Sequence, residues 1–389
     1  MEPLRVAVRW SLLLSLLCVT TGCDTPEVDS SPPFVVPALT LPAWRGGFDV
    51  GRERAAWTDS SRGRTLLVTT YYPALMLDTT RREVVAGDSI DAILHRDELG
   101  RKLGPAAASG LVALHTRAGA DAPVAPWDER FPVLLFAPAA GWLPGDYSSL
   151  LEGIASHGFV VIAVAAPGES GTLRLPNGEI VRPRIPDDGT VSRLSTDLAF
   201  LHQQVAVLNN DRDSRFHQRL ALGSVGVFGH GVGGAAAVRA AARDTTLTAV
   251  ANLDGDLLLG FEKTVIGQPI LFATTEPLAM ARVPVDRWSE DRSERRRGEQ
   301  WDELSGGSRR PERVRLPGMH QWNFLDAALV PRTAMSPDRR RPRFGSIDGA
   351  RGLALAIDLT SQFFRDAFAS SHQGYDVVRT LYPEVSLGR

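Results

Sequence analysis

The chain holds only two cysteines in 389 residues, Cys18 and Cys23, so it has little from which to build a disulfide scaffold. Lysine is almost missing as well, with Lys102 and Lys263 alone, and arginine supplies the rest of the 43 basic residues. These nearly balance 45 acidic residues and leave a net charge of −2. No field of one sign would draw such a chain to a phosphate backbone, so nucleic acid is not an expected partner. A long apolar run is also absent: the stretch Trp10–Leu17 is too short for a permanent bilayer span.

The N-terminus has the layout of an export signal over residues 1–22: Arg5 and Arg9 precede the apolar run, and Thr20-Thr21-Gly22-Cys23 follows it. Gly22-Cys23 resembles a bacterial lipobox, which implies acylation of Cys23 and attachment to a membrane of the cell envelope through that lipid anchor. Simple secretion is the alternative. Removal of Cys18 with the signal leaves Cys23 alone, a state that fits lipidation better than pairing. Residues 23–42 are rich in proline and serine and read as a tether.

The remaining length suits one large α/β domain, expected over 43–370, with a tail at 371–389. Phe131–Phe136 and Phe159–Val164 are continuous apolar runs, the pattern of strands buried on both faces. Further strands are expected over Thr65–Tyr72, Val225–Phe228, Thr248–Leu253, Pro269–Ala273 and Val314–Leu316. Helices are expected over Tyr147–His157, Arg193–Val207, Gly234–Ala242 and Gly349–Phe368. This alternation predicts a mostly parallel central sheet with helices on both faces and a site at the carboxyl ends of its strands. Two excursions, near 168–190 and 286–313, interrupt it and read as solvated segments or as lids.

The most informative segment is Val227-Phe228-Gly229-His230-Gly231-Val232-Gly233-Gly234. Strand, tight turn and helix in this order form the setting of a nucleophile elbow, Gly-x-Ser-x-Gly, but Gly231 occupies the position of the serine. Gly229, Gly231 and Gly234 also satisfy Gly-x-Gly-x-x-Gly, and Asp254 closes the next strand as a dinucleotide site would require. Against that rival, several α/β elements precede the turn. His320, in Leu316-Pro317-Gly318-Met319-His320-Gln321-Trp322-Asn323-Phe324-Leu325-Asp326, also follows a later strand. Gly231, Asp254 and His320 keep the chain order nucleophile, acid, histidine of α/β-hydrolases.

On these residues the chain resembles the platelet-activating factor acetylhydrolase family of α/β-hydrolases over roughly Gly51 to Phe368. Similar pieces include Asp59-Ser60-Ser61-Arg62-Gly63-Arg64 with Tyr72-Pro73-Ala74, Phe131 to Pro138, and Ala155-Ser156-His157-Gly158. Asn252-Leu253-Asp254-Gly255 and the His-x-x-x-Phe-x-Asp motif from His320 to Asp326 complete the set. The resemblance implies an α/β-hydrolase fold and hydrolysis of short acyl esters of the phospholipid type. Asp254 would orient His320, His320 would act as general base, and the backbone N–H groups of Val232 and Ala139 would form the oxyanion hole. Ala139 and Ala140 stand where the family usually has glycine, so this loop is expected to differ.

Glycine at 231 has no side chain with which to attack a carbonyl, and loss of a triad serine costs on the order of a millionfold in turnover. The expectation is therefore a catalytically silent or strongly impaired relative of ester hydrolases that takes a small ester or lipid ligand. No metal or other cofactor is expected, and the sequence names no protein partner. The alternative is an ester hydrolase working through His320 and Asp254 with an activated water or an unconventional nucleophile.

Overall fold

The computed structural model describes residues 38–77, 80, 82–84, 89–126, 129–255, 265–276, 298–299, 301–370, 374–383 and 385–387. They lie in the compact unit Val35–Arg389. The expected export signal, Cys23, the tether up to residue 37 and residues 286–297 of the second excursion lie outside them. Among the described residues no helix is long and apolar enough to cross a membrane.

Strands β4 (Phe131–Ala137), β5 (Val160–Ala165) and β8 (Leu220–His230) form the parallel centre of a ten-stranded sheet. β9 (Ala249–Leu253), β10 (Ile270–Thr275) and β11 (Pro311–Leu316) continue it in parallel register on one side. On the other side lies an antiparallel pair, β1 (Asp49–Asp59) and β2 (Arg64–Ala74), with the short β3 (Gly119–Ala120) at the edge. The central runs are apolar throughout because both faces are covered. Leu134, Phe136 and Phe228 pack into one core with Ile154 and Phe364, while Val133, Leu135 and Val227 pack into a second core with Leu198 and Ala237. Helix α3 (Ser148–Ser156) and the helix Gly349–Ala369 cover the first face, and α4 (Thr190–Asn210) and α5 (Val232–Arg243) cover the second.

Several elements go beyond the sequence reading. Residues 89–112 form two helices, α1 (Ser89–Leu103) and α2 (Pro105–Val112), beside the loop after β4. Leu175-Pro176-Asn177-Gly178 in the first excursion is the turn of a small hairpin between β6 (Leu173–Arg174) and β7 (Ile180–Val181). The segment read as a tail folds into the helix Gly374–Leu381 and β12 (Ser386–Leu387), which pairs with β11. Val378 and Tyr382 anchor it in the first core.

Two polar features fix the frame. Arg62 in the turn joining β1 to β2 and Arg64 at the start of β2 both bind the fully buried Asp197 of α4 through their guanidinium groups, at 2.7 and 2.9 Å. Asp326 accepts from the backbone N–H of Ser148 (2.8 Å) and Ser149 (2.9 Å) and so satisfies amides that α3 leaves open at its first turn. Burial raises the Asp326 carboxyl to about 8, and hydrogen bonding from Ser149 offsets only part of that shift. The Asp of the His-x-x-x-Phe-x-Asp motif thus closes a helix end.

Candidate active site

β8 runs into α5 through a single residue, Gly231, at φ 55° and ψ −126°. A positive φ of this kind is costly for any residue with a Cβ, and it turns the chain sharply enough to set the strand end against the helix start. The turn is tied down on all sides. Gly231 N–H donates to Leu253 O of the neighbouring strand (2.9 Å), and Gly231 O accepts from Gly234 N–H (2.9 Å). The flanking glycines are required by contact: a Cβ on Gly233 would lie 2.2 Å from Ala137 O, and one on Gly229 would lie 2.3 Å from the Gly233 carbonyl carbon. A Cβ at Gly231 itself would meet Ala139 Cβ at 3.1 Å and Gln321 Nε2 at 3.5 Å. The elbow tip therefore faces the loop after β4 and the segment after β11.

His230 is fully buried and turned away from the tip. Its Nδ1 shares a 2.8 Å hydrogen bond with Tyr147 Oη, and its ring packs on Phe324 at 5.0 Å between centroids. Burial pushes its pKa down to about 3, a pull that the Gln321 backbone opposes only weakly; Nε2 makes no hydrogen bond of normal geometry. The imidazole is therefore neutral, and with Nδ1 as acceptor it takes the Tyr147 hydroxyl proton. Tyr147 Oη in turn accepts from Ala139 N–H at 3.1 Å.

That bond corrects one expectation. Ala139 sits beside Gly231 as foreseen, but its N–H is committed to Tyr147 and does not point freely at an oxyanion. The loop bends at Gly141, with φ 72°, and Lys102 Nζ donates to the Gly141 carbonyl. Val232 fares differently. It is the first residue of α5, where an N–H has no intrahelical carbonyl to meet.

Asp254 follows β9 and His320 follows β11, both at the carboxyl rim of the sheet. Asp254 adopts φ 55°, and buried Asn252 clamps its turn through Oδ1, which accepts from Gly255 N–H at 2.7 Å. Its carboxylate accepts from Thr275 N–H (2.9 Å) and Thr275 Oγ1 (2.7 Å), at the end of the strand lying between β9 and β11. His320 is held through its backbone: its N–H donates to Asn323 Oδ1 (2.8 Å), which also accepts from Gly345 N–H (2.8 Å). His320 Nδ1, the atom an orienting carboxylate would meet, is buried without a hydrogen-bond partner. The expected bond from Asp254 to His320 is not formed, and the carboxylate is met by Thr275 instead. Tyr147 and Thr275 gave no signal in the sequence, since they act on residues 83 and 21 positions away, and Asn252 and Asn323, although inside the quoted motifs, gave none of their clamping role. The described residues hold no cluster of three metal-ligating side chains.

A mostly parallel sheet with an elbow after its central strand and acid and histidine positions after later strands defines an α/β-hydrolase fold. A Gly-rich turn this deep in the topology does not sit where a dinucleotide fingerprint would. The fold matches a solved ferulic acid esterase from Streptomyces cinnamoneus with a TM-score of 0.68, at 22% identity, over 91% of this chain and 100% of that one. A protein of Arthroderma benhamiae named probable 1-alkyl-2-acetylglycerophosphocholine esterase is 29% identical over 240 residues, 57% of this chain. The chain spans 60% of that relative's length. No family model matches the chain. The resemblance to acetylhydrolase-type esterases is thus borne out by a relative that carries that activity in its name.

Proposed function

We propose that this chain is an exported, envelope-anchored relative of carboxylic ester hydrolases that binds a small ester or lipid without turning it over efficiently. One observation carries the reading: the position from which the fold would present an attacking hydroxyl is Gly231, in the strained elbow conformation and with no side chain. The unpartnered His320 Nδ1 and the engagement of Asp254 by Thr275 support it, since a water-activating base would need its orienting acid. Anchoring rests on Gly22-Cys23 after the short apolar run. Cys23→Ala should move the protein from the membrane fraction to the soluble one, and an unchanged distribution would refute the anchor.

The test of the silent site is Gly231→Ser. The native chain should resist labelling by a fluorophosphonate and leave p-nitrophenyl acetate at the background rate. The serine variant meets a strain of about 1 to 3 kcal/mol at this φ and needs Ala139 to give way by a few tenths of an ångström. With the Asp254–His320 bond unformed, the expected gain is partial, roughly 10²- to 10³-fold over the native chain and abolished by His320→Ala. Stoichiometric labelling of the native chain would instead establish an unconventional nucleophile and overturn the reading.

A further inference from the structure

Residues 332–343 carry five arginines, Arg332, Arg339, Arg340, Arg341 and Arg343, against one carboxylate, Asp338. The segment is pinned at both ends. Met335 sinks into the first core and Phe344 packs against it, so the single helical turn Pro337–Arg340 and the exposed Arg341 stay at the surface between them. Arg339 Nη1 donates to the carbonyls of Gly100 (3.1 Å) and Arg101 (3.3 Å), which sets the exposed Arg101 of α1 beside the cluster.

Around the buried Asp197 and Glu169 the chain answers its arginines with acids: Arg62, Arg64, Arg184 and Arg193 each meet one of the two. The cluster is different. Among the described residues none of its arginines pairs with a carboxylate. The guanidinium of Arg332 donates to the Ser346 carbonyl (2.6 Å) and that of Arg343 to the Arg339 carbonyl (2.7 Å), while Arg343 also lies 4.9 Å from the Trp322 ring centroid. Carbonyls and rings fix these side chains without cancelling their charge. Burial, and then the charge of Arg339, hold the Arg343 pKa below its ordinary value, as expected where like charges crowd.

Two observations choose the partner. Donors spread along an outward-facing segment and already spent on carbonyls do not converge on one ion; their charges act together on an extended array of anions. The N-terminal tether also enters the fold beside them, because Leu39 and Leu41 pack with Leu114 and with Leu329, three positions before Arg332. Residues 23–37 can bridge at most about 50 Å, so a lipid on Cys23 would hold this side of the domain within that distance of the bilayer. We propose that Arg339, Arg340, Arg341 and the arginines beside them dock the domain on the anionic headgroups of the membrane that holds the anchor. The purpose of this surface rests on the anchoring proposed above; its charge does not. Trp322 N–H donates to Arg343 O (3.1 Å), and Trp322 follows Gln321, which faces the elbow tip, so the docked face adjoins one wall of the elbow.

Co-sedimentation of the full-length Cys23→Ala chain with vesicles tests the surface in the absence of a lipid anchor. Replacing about one third of the phosphatidylcholine by phosphatidylglycerol should raise binding on the order of 10²-fold, and about 0.5 M salt should abolish the gain. In the same background, Arg340→Gln with Arg341→Gln should lower affinity for the anionic vesicles at least tenfold, at about fivefold for each arginine. Arg182→Gln with Arg212→Gln, which removes two exposed arginines elsewhere and changes net charge equally, should lower it less than about threefold. Arg5, Arg9 and the apolar run are common to all these chains and cancel. Equal affinity for the two vesicles, or an equal loss in the two double variants, would overturn the proposal. So would release from the vesicles by about 1 mM inorganic phosphate at constant ionic strength, which would assign the cluster to a single anion. Fractionation of the native chain against Cys23→Ala tests the anchor separately, so either reading can fail alone.

Discussion

The two halves of the candidate site are built to different standards. On the elbow side the polar groups are linked into a network: Gly231 N–H meets Leu253 O, and Ala139 N–H, Tyr147 Oη and His230 Nδ1 form one buried chain, which leaves His230 Nε2 over. On the rim that carries the other two members, Asp254 is taken by Thr275 and His320 Nδ1 is left alone. The elbow half is also the junction of β8, α5 and the loop after β4, so the fold depends on it whether or not any chemistry occurs there. His320 supports little besides itself. If the site is silent as proposed, the parts it keeps in order are those that also hold the protein together.

The contrast can be broken most forcefully at Gly233. Gly233→Ala places a methyl 2.2 Å from Ala137 O and 2.5 Å from Pro138 O, both backbone atoms that cannot swing aside. A loss of about 3 kcal/mol or more is expected, read as a fall in the denaturant midpoint. A drop below about 1 kcal/mol would show that the elbow is looser than its contacts imply.

Tyr147→Phe should come next. It strands a buried N–H at Ala139 and a buried acceptor on His230, each worth about 1 to 3 kcal/mol when left unpaired. Urea unfolding should show a loss of roughly 2 to 4 kcal/mol. A neutral result would mean that the loop after β4 finds another acceptor, and that Ala139 N–H is available to an oxyanion after all.

His230 gives a pH-dependent version of the same comparison. Its folded pKa of about 3 lies below the unfolded value near 6.5, so below pH 6.5 the unfolded chain takes up a proton that the folded chain refuses. Its contribution is complete above about pH 6.5 and declines by about 1.4 kcal/mol per pH unit as the pH falls toward 3. Glu152 and Asp326, whose pKa values burial raises, act in the opposite sense. The measurement is therefore the stability difference between the native chain and His230→Asn, in which those groups cancel. Between pH 6.5 and 5 that difference should shrink by roughly 2 kcal/mol, and a flat difference would place a proton on the buried imidazole.

The smallest effect is expected at His320. His320→Ala removes a half-buried ring whose Nδ1 bonds nothing, so stability should change by less than about 1 kcal/mol. A loss of several kcal/mol would erase the contrast between the two halves.

The chain's own pattern made the parallel centre legible, because strands covered on both faces leave continuous apolar runs such as Phe131–Phe136. It concealed β1, where exposed Arg54, Ala56 and Thr58 alternate with half-buried residues and mark a strand with one face in contact with solvent, and it concealed α1, which is mostly polar. The order of Gly231, Asp254 and His320 was readable because it is set by topology. Their hydrogen bonds were not, since the partner of each is chosen by packing: Tyr147 reaches His230 across 83 positions. Asp254 finds Thr275 because β10 lies beside β9.

The cap that Asp326 places on α3 joins residues 178 positions apart. During synthesis, α3 emerges with its first amides open and stays so until nearly the whole chain has been made. β4 likewise waits for β8 to flank it, so the centre of the sheet cannot close early. Such long-range closure slows folding and keeps the growing chain open. A polypeptide with this topology is finished as a ribbon before it is finished as a fold.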